Sequence, residues 1–176
     1  MTGRVQRSDR LFWTVQAWLK YLPFEWAARM RGALYGLFFA SRGRNLRIYD
    51  GVTIKYPSGI SIGDNVTVNV GCFLVGLGPL SIGDNVMVGA GSKLVTSTHQ
   101  SDAFDIPMRD QGLGAKPIVV EDDVWLGFDV KVLGGAHLGE GSIIATGCVV
   151  PSDMHIPARM IAGGVPAKII GDRQNG

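Results

Sequence analysis

The sequence predicts an all-β domain over residues 46–176, a parallel β-helix of flat-sided coils, preceded by an amphipathic helical segment over residues 1–45. Three observations predict it. From Val120 an aliphatic residue returns at every sixth position, through Leu126, Val132, Leu138, Ile144 and Val150 to Ile156. An amphipathic helix repeats its apolar face near every 3.6 residues and a half-buried strand every second one, so a period of six needs another geometry. A short extended segment followed by a corner supplies it: one side chain per side points into a shared core, and coils stack as parallel strands about 4.8 Å apart. The same period runs upstream, through Ile48 and Ile54, then Ile62, Val68 and Leu74, then Ile82, Val88 and Leu94. The interruptions complete the case. Ile54 to Ile62 and Leu74 to Ile82 are each two residues too long, and Leu94 to Val120 is twenty too long. With three sides per coil all three insertions fall at one corner, so the coil is a triangle and the loop of residues 96–117 leaves from a corner that is already bulged.

Taken in order, residues 8–22 read as a helix that Ser8 can cap, with Leu11, Val15, Trp18, Leu19 and Leu22 on one face and Arg10, Thr14 and Lys20 opposite. Pro23 ends it and can start a second helix, where Trp26, Met30, Ala33, Leu34 and Leu37 form a stripe and Glu25, Arg29 and Gly32 lie on the other side. Nine of the fifteen aromatic residues fall between Phe12 and Phe39, and residues 1–47 hold nine Lys and Arg against two acids, Asp9 and Glu25. A basic, aromatic head of +7 on a body of −5 suits an anionic partner. Short helices that interleave Arg and Trp have the composition of a segment lying in a bilayer interface. They can equally pack on the coil, covering an end that otherwise exposes unpaired backbone. Both roles are open at this stage. No nucleic-acid module is present, and no run of eighteen apolar residues is long enough to span a bilayer.

Residues 41–47 read as a connector. From Leu46 onward, Gly63-Asp64-Asn65 and Gly83-Asp84-Asn85 mark corners, because Gly, Asn and Asp tolerate the left-handed backbone a tight corner demands. Outward positions alternate with the core: Thr67, Met87, Trp125 and Ile143 make one outward column, and Ser81, Val119, His137 and His155 another. Cys72 and Cys148 sit on one coil side about 14 Å apart, too far for a disulfide, and read as core residues of a cytoplasmic protein.

The run from Leu46 to Ile170, with its closing Gly163-Gly164-Val165-Pro166-Ala167-Lys168-Ile169-Ile170, resembles the hexapeptide-repeat acyltransferases. The resemblance implies a left-handed parallel β-helix, a homotrimer as the working unit, and acetyl-CoA as co-substrate with no metal. It also implies site residues. His99, in Thr96-Ser97-Thr98-His99, matches the family's catalytic histidine, and chemistry gives an independent reason to prefer it. Acyl transfer from a thioester to an alcohol needs a base for the hydroxyl proton, and imidazole, with an ordinary pKa of about 6.5, is poised for that. Asn69 matches an asparagine that holds acceptor or transition state in sugar-acetylating relatives; the bland reading is a left-handed corner residue. Val124-Trp125-Leu126-Gly127 resembles the VWIG segment, where the tryptophan lines the pantetheine tunnel and the following backbone N–H groups, here of Gly127 and Phe128, face the thioester oxygen. Ala145, Thr146 and Gly147 match a pantetheine-contacting segment, and Lys168 a basic position near the cofactor phosphates. Ser152 departs from a lysine common there.

Asp105-Ile106-Pro107-Met108-Arg109-Asp110-Gln111-Gly112 looks like the PxRxQG stretch of exopolysaccharide and lipopolysaccharide O-acetyltransferases, which offers Asp102, Arg109 and Gln111 as acceptor-binding residues. Gln100-Ser101-Asp102 after His99 departs from the Pro-Leu-Asp of maltose-type enzymes. The γ-class carbonic anhydrases, which the coil also resembles, bind metal by three histidines with a close His-x4-His pair; that spacing is absent around His137 and His155.

These readings converge on an acetyl-CoA dependent O-acetyltransferase acting on a saccharide or lipid-linked saccharide hydroxyl in surface polysaccharide biosynthesis. It is expected in the cytoplasm, and on the inner face of the plasma membrane if the helices bind lipid. A xenobiotic or antibiotic O-acetyltransferase and a non-catalytic β-helix scaffold are the rivals.

Overall fold

The computed structural model describes residues 7–174, with backbone alone for Arg7 and Ser8. Three parallel faces wind around one core. Face I carries Ser41–Arg42, Ile60–Ile62, Leu80–Ile82, Ile118–Val120, His137–Leu138 and His155–Ile156. Face II carries Arg47–Ile48, Thr67–Val68, Met87–Val88, Trp125–Leu126, Ile143–Ile144 and Met160–Gly163, closed by the antiparallel strand Lys168–Asp172. Face III carries Thr53–Lys55, Phe73–Val75, Lys93–Val95, Lys131–Leu133 and Val149–Val150.

The six-residue period is the register of this coil. Val68 stands beside Ile48 and Val88, and Leu126 beside Val88 and Ile144. All the six-spaced aliphatic residues from Ile48 to Ile156 are at most 3 % exposed. Each such side chain contributes about 1.5–3 kcal/mol by leaving water. A second inward column lies two residues ahead of the first and holds Val52, Val66, Cys72, Val86, Ser92, Val124, Val130, Ser142 and Cys148, all buried. The two cysteines are free thiols within that column.

The corners repeat as regularly. Between faces I and II the left-handed residue is Asn45, Asn65 or Asn85, each at φ 58°, then Asp123, Gly141 and Arg159. Their neighbours form a ladder in which the Asp64 N–H donates to Asp84 Oδ1 at 2.6 Å and the Asp84 N–H to Asp122 Oδ1 at 2.7 Å. At the next corner, between faces II and III, Gly51, Gly71, Gly91, Asp129 and Gly147 take positive φ. At Gly71 and Gly147 an added Cβ meets nothing within 4 Å, so glycine is required there for its backbone freedom rather than for space.

The first coil begins earlier than expected. Ser41–Arg42 already pairs with Ser61 and Ile62, so residues 41–47 are a strand and a corner rather than a connector. Above it lie α1 (Arg7–Leu19) and α2 (Glu25–Tyr35). Ser8 lies within the described span of α1, and the capping role read for its side chain falls outside the described residues.

The helices cap the open end of the coil. The Gln16 side chain stands in for a missing strand: the Ile54 N–H donates to Gln16 Oε1 at 2.7 Å, and Gln16 Nε2 donates to Ile54 O at 3.3 Å. Arg31, 1 % exposed, donates from Nε to Ile48 O at 2.7 Å and from Nη1 to Leu19 O and Leu22 O. Burial pulls its guanidinium below the ordinary arginine range. Gly32 lets the backbones touch, since a Cβ there sits 2.0 Å from Leu46 O.

Closing that edge turns both helices away from their expected orientation. In α1 the buried residues are Asp9, Phe12 and Gln16, with Val15 and Leu19 partly buried, while Leu11 and Trp18 are 59 % and 80 % exposed. In α2, Ala27, Ala28, Arg31, Gly32 and Tyr35 pack inward, and Trp26, Leu34 and Leu37 of the expected stripe face outward. Turning the apolar stripe inward would leave the Ile48 carbonyl and the Ile54 N–H and carbonyl without their partners, at about 1–3 kcal/mol each, so the polar cap residues set the rotation. No helix among the described residues is long and apolar enough to cross a membrane.

Candidate active site

His99 ends the strand Ser97–His99, which leaves the corner between faces III and I and pairs antiparallel with Leu113–Ala115. Its direct partner is Leu113. The side chain is exposed, and no described residue holds the imidazole. The hairpin is anchored by Thr96, whose hydroxyl donates to Val75 O at 2.8 Å and accepts the Gly78 N–H at 3.0 Å.

Beyond His99 the chain forms a closed loop, with the Gln100 N–H donating to Gly112 O at 3.1 Å. Gln111 holds its shape. Gln111 Oε1 accepts the Ala103 N–H at 3.1 Å, while Nε2 donates to Ala103 O and to Ile106 O, each at 2.7 Å. The amide read as a sugar ligand thus has its hydrogen bonds inside the loop. Arg109 Nε lies 3.6 Å from Asp110 Oδ1, and Asp102 is exposed. A pocket at the foot of the hairpin is lined by Ser97, Thr98, Lys116, Leu133, Gly134 and Ser152. Lys116 Nζ lies there, 2.5 Å from Asp153 Oδ2, and brings an ammonium beside Ser152, where the sequence lacks the family's lysine.

The remaining candidates collect at a different corner, between faces II and III. Trp125, 48 % exposed, stands between Met87 and Ile143 in the outward column of face II. Phe128 and Val70 are exposed beside that corner, and Asn69, Gly127, Ala145, Thr146 and Gly147 lie on it. Lys168, exposed on the last strand, pairs with Gly163 below them. Together they make a shallow apolar edge ending in a cation, which fits an apolar arm that carries phosphates.

Two details refine the expected roles. The Gly127 N–H donates to Ile144 O at 2.8 Å within the ladder, so it is not available to an external oxygen. The Phe128 N–H makes only a 3.3 Å bond, to the Thr146 hydroxyl, and is the amide more readily redirected. Asn69 does not take the left-handed turn, which falls to Gly71; its Oδ1 accepts the Val70 N–H at 3.1 Å and its amide N–H groups stay open.

Comparison with known proteins decides the family. Residues 117–152 match a family model described as bacterial transferase hexapeptide (six repeats), and residues 79–98 one described as hexapeptide repeat of succinyl-transferase. The chain is 32 % identical over 168 residues to a putative colanic acid biosynthesis acetyltransferase WcaF of Escherichia coli (strain K12), covering 93 % of this chain and 86 % of that one. The chain belongs to the hexapeptide-repeat acetyltransferases.

Other members agree. A putative acetyltransferase of Staphylococcus aureus (strain COL) is 37 % identical over 145 residues, covering 82 % of this chain and 70 % of that one. Among solved structures, a galactoside acetyltransferase in complex with coenzyme A superposes with a TM-score of 0.84 at 26 % identity, covering 98 % of this chain and 84 % of that one. A hexapeptide-repeat acetyltransferase of Vibrio cholerae, complexed with acetyl coenzyme A, gives 0.82 at 25 % identity, covering 97 % and 90 %.

One cluster in this acetyltransferase lies apart from both corners. On face I, His137 and His155 meet edge to face with ring centroids 4.7 Å apart, and His137 Nε2 lies 2.6 Å from Glu121 Oε1. The His137 hydrogen bond, helped by the Glu140 N–H, holds the Glu121 carboxyl below the usual carboxylate range. Sequence reasoning gave no role to Lys116, which the fold places in the pocket beside Ser152, because a loop has no period and only the closed fold shows what its side chains face.

Proposed function

We propose that this chain transfers an acetyl group from acetyl-CoA to a saccharide hydroxyl in surface polysaccharide assembly, with His99 as general base. The carrying observation is a division: the exposed imidazole sits at one corner of the coil, and the apolar edge with its cation sits at another. A second copy that apposes these corners completes the site, which supports a homotrimer with active centres shared between neighbours. The coenzyme arm then lies along Trp125, Phe128 and Ala145 to Gly147, with its phosphates toward Lys168.

In the reaction His99 takes the acceptor hydroxyl proton as the oxygen attacks the thioester carbonyl. The ester C–O bond forms, the C–S bond breaks, and the proton passes to the departing thiolate. The Phe128 N–H is the donor for the developing oxyanion, and Asn69 orients the acceptor or that oxyanion. Support for a polysaccharide acceptor comes from the WcaF relative and the PxRxQG-like loop.

The cap retains an outward surface of Trp18, Tyr21, Phe24 and Trp26, with Arg10 and Arg29 also exposed. This supports contact with the inner face of the plasma membrane, where a lipid-linked acceptor resides. A double substitution Trp18→Ser and Trp26→Ser is expected to abolish co-sedimentation with anionic liposomes; unchanged pelleting rejects the membrane role.

The test of the central reading is complementation. His99→Ala and Trp125→Ala are each expected to lose most thiol release from acetyl-CoA against nucleotide sugars and lipid-linked oligosaccharides. Coassembled one to one, they should recover about a quarter of wild-type activity, the fraction of interfaces with both halves intact. No recovery from confirmed mixed oligomers refutes the shared site.

A further inference from the structure

The loop after His99 displays an aromatic ring with no contact in its own chain. Phe104 is 103 % exposed, the most exposed large apolar side chain among the described residues. A chain that places phenylalanine wholly in water normally lets it collapse onto the surface. Here the loop prevents that, because the Gln111 amide grips Ala103 on both its N–H and its carbonyl and holds Ile106 as well. The ring is therefore presented from a braced segment. Two exposed carboxylates, Asp102 and Asp105, flank it.

We infer that Phe104 is the stacking platform for the pyranose ring of the acceptor, with Asp102 and Asp105 accepting hydrogen bonds from its hydroxyls. The inference rests on the acetyl-transfer reading above and names what that site grips. The general base must reach the acceptor hydroxyl at hydrogen-bond distance, so the sugar ring lies within one ring width of His99. His99 and Phe104 are five positions apart on one closed loop, with the carboxylates between and beside them. A pyranose has an apolar C–H face and a polar rim. A flat hydrocarbon ring bordered by carboxylates is complementary to both, the usual division of labour in a small-molecule site. Ile106, Met108 and Leu113 are also exposed on this hairpin and its loop, so a contact with a partner subunit is the rival role for the ring, and the oligomeric state of the Phe104→Ala protein decides between them.

Two measurements test this. Phe104→Ala is expected to lower kcat/KM for a saccharide acceptor by about tenfold or more while KM for acetyl-CoA stays put, and to leave turnover of glycerol, a hydroxyl donor without a ring face, unchanged. Phe104→Trp should preserve the saccharide activity and serve as a sensor, its emission shifting saturably with methyl glucopyranoside or methyl galactopyranoside and not with glycerol. Equal losses on saccharide and glycerol, an emission unmoved by both glycosides, or a Phe104→Ala protein that falls apart into monomers overturns the platform; the last result assigns the ring to a subunit contact. Failure of the acetyl-transfer reading looks different. The wild-type protein then turns over no acceptor, while the Phe104→Trp sensor still reports whether the loop binds pyranose.

Discussion

Replacing Gln111 by Ala separates a loop brace from a sugar ligand. The side chain makes three hydrogen bonds, to Ala103 N–H, Ala103 O and Ile106 O, and none leaves the loop. At an exposed site each such bond sits at the low end of the net range, about 0.5–0.9 kcal/mol, so loss of the three weakens the closed loop by about 1.5–2.7 kcal/mol. That is roughly a 10- to 100-fold rise in the open population. Phe104 at the loop tip supplies the assay, since chymotrypsin cleaves after phenylalanine once the backbone opens. With opening fast relative to cleavage, the nicking rate follows that population, and Gln111→Ala should be cut about 10- to 100-fold faster without any sugar present. The midpoint of global urea unfolding should hold, because the loop contributes nothing to the buried columns. A nicking rate within twofold of wild type refutes the brace, and loss of acceptor turnover without faster nicking restores Gln111 as a ligand.

The remaining predictions concern the cap and the core of the coil. Gln16→Leu removes the acceptor for the buried Ile54 N–H and the partner of Ile54 O, and should cost about 2–4 kcal/mol in urea unfolding; a loss under about 0.5 kcal/mol means that another group closes that edge. Tyr35 is buried with its hydroxyl unpaired, and burial pushes its pKa up to about 12, so Tyr35→Phe should be neutral or stabilising at pH 7. The sign of the alkaline effect follows from that raised value. Stability is fully present below the ordinary tyrosine value of about 10 and is lost as pH rises toward the folded value, by an amount on the order of 2 kcal/mol. Tyr35→Phe should therefore flatten the fall in stability across that range, and an unchanged pH profile contradicts the assignment. Cys72, buried and pushed up to about 11, should resist iodoacetamide at pH 8 in the native protein and react on unfolding; rapid native labelling contradicts its placement in the core.

Much of this molecule was legible in the chain because the coil is a one-dimensional object. A period of six, interrupted only at every third side, places Ile48 through Ile156 in the core before any coordinate is known, and each coil meets only its neighbours. The Gly-Asp-Asn corners follow from backbone sterics alone. Thr-Ser-Thr-His and Val-Trp-Leu-Gly were equally visible as segments. Tertiary structure decided what depends on meeting across the sequence. Which face of α1 and α2 turns inward was settled by the unpaired amide and carbonyl groups of the first coil, met by Gln16 and Arg31, and no apolar moment encodes that. The Gln111 amide bonds within its own loop, the Gly127 N–H donates to Ile144 O, and Lys116 lines a pocket with Ser152, because hydrogen bonds and charges are fixed by distance through space. Local periodicity writes a repeating core into the sequence; the partners of its polar groups exist only once the chain has closed on itself.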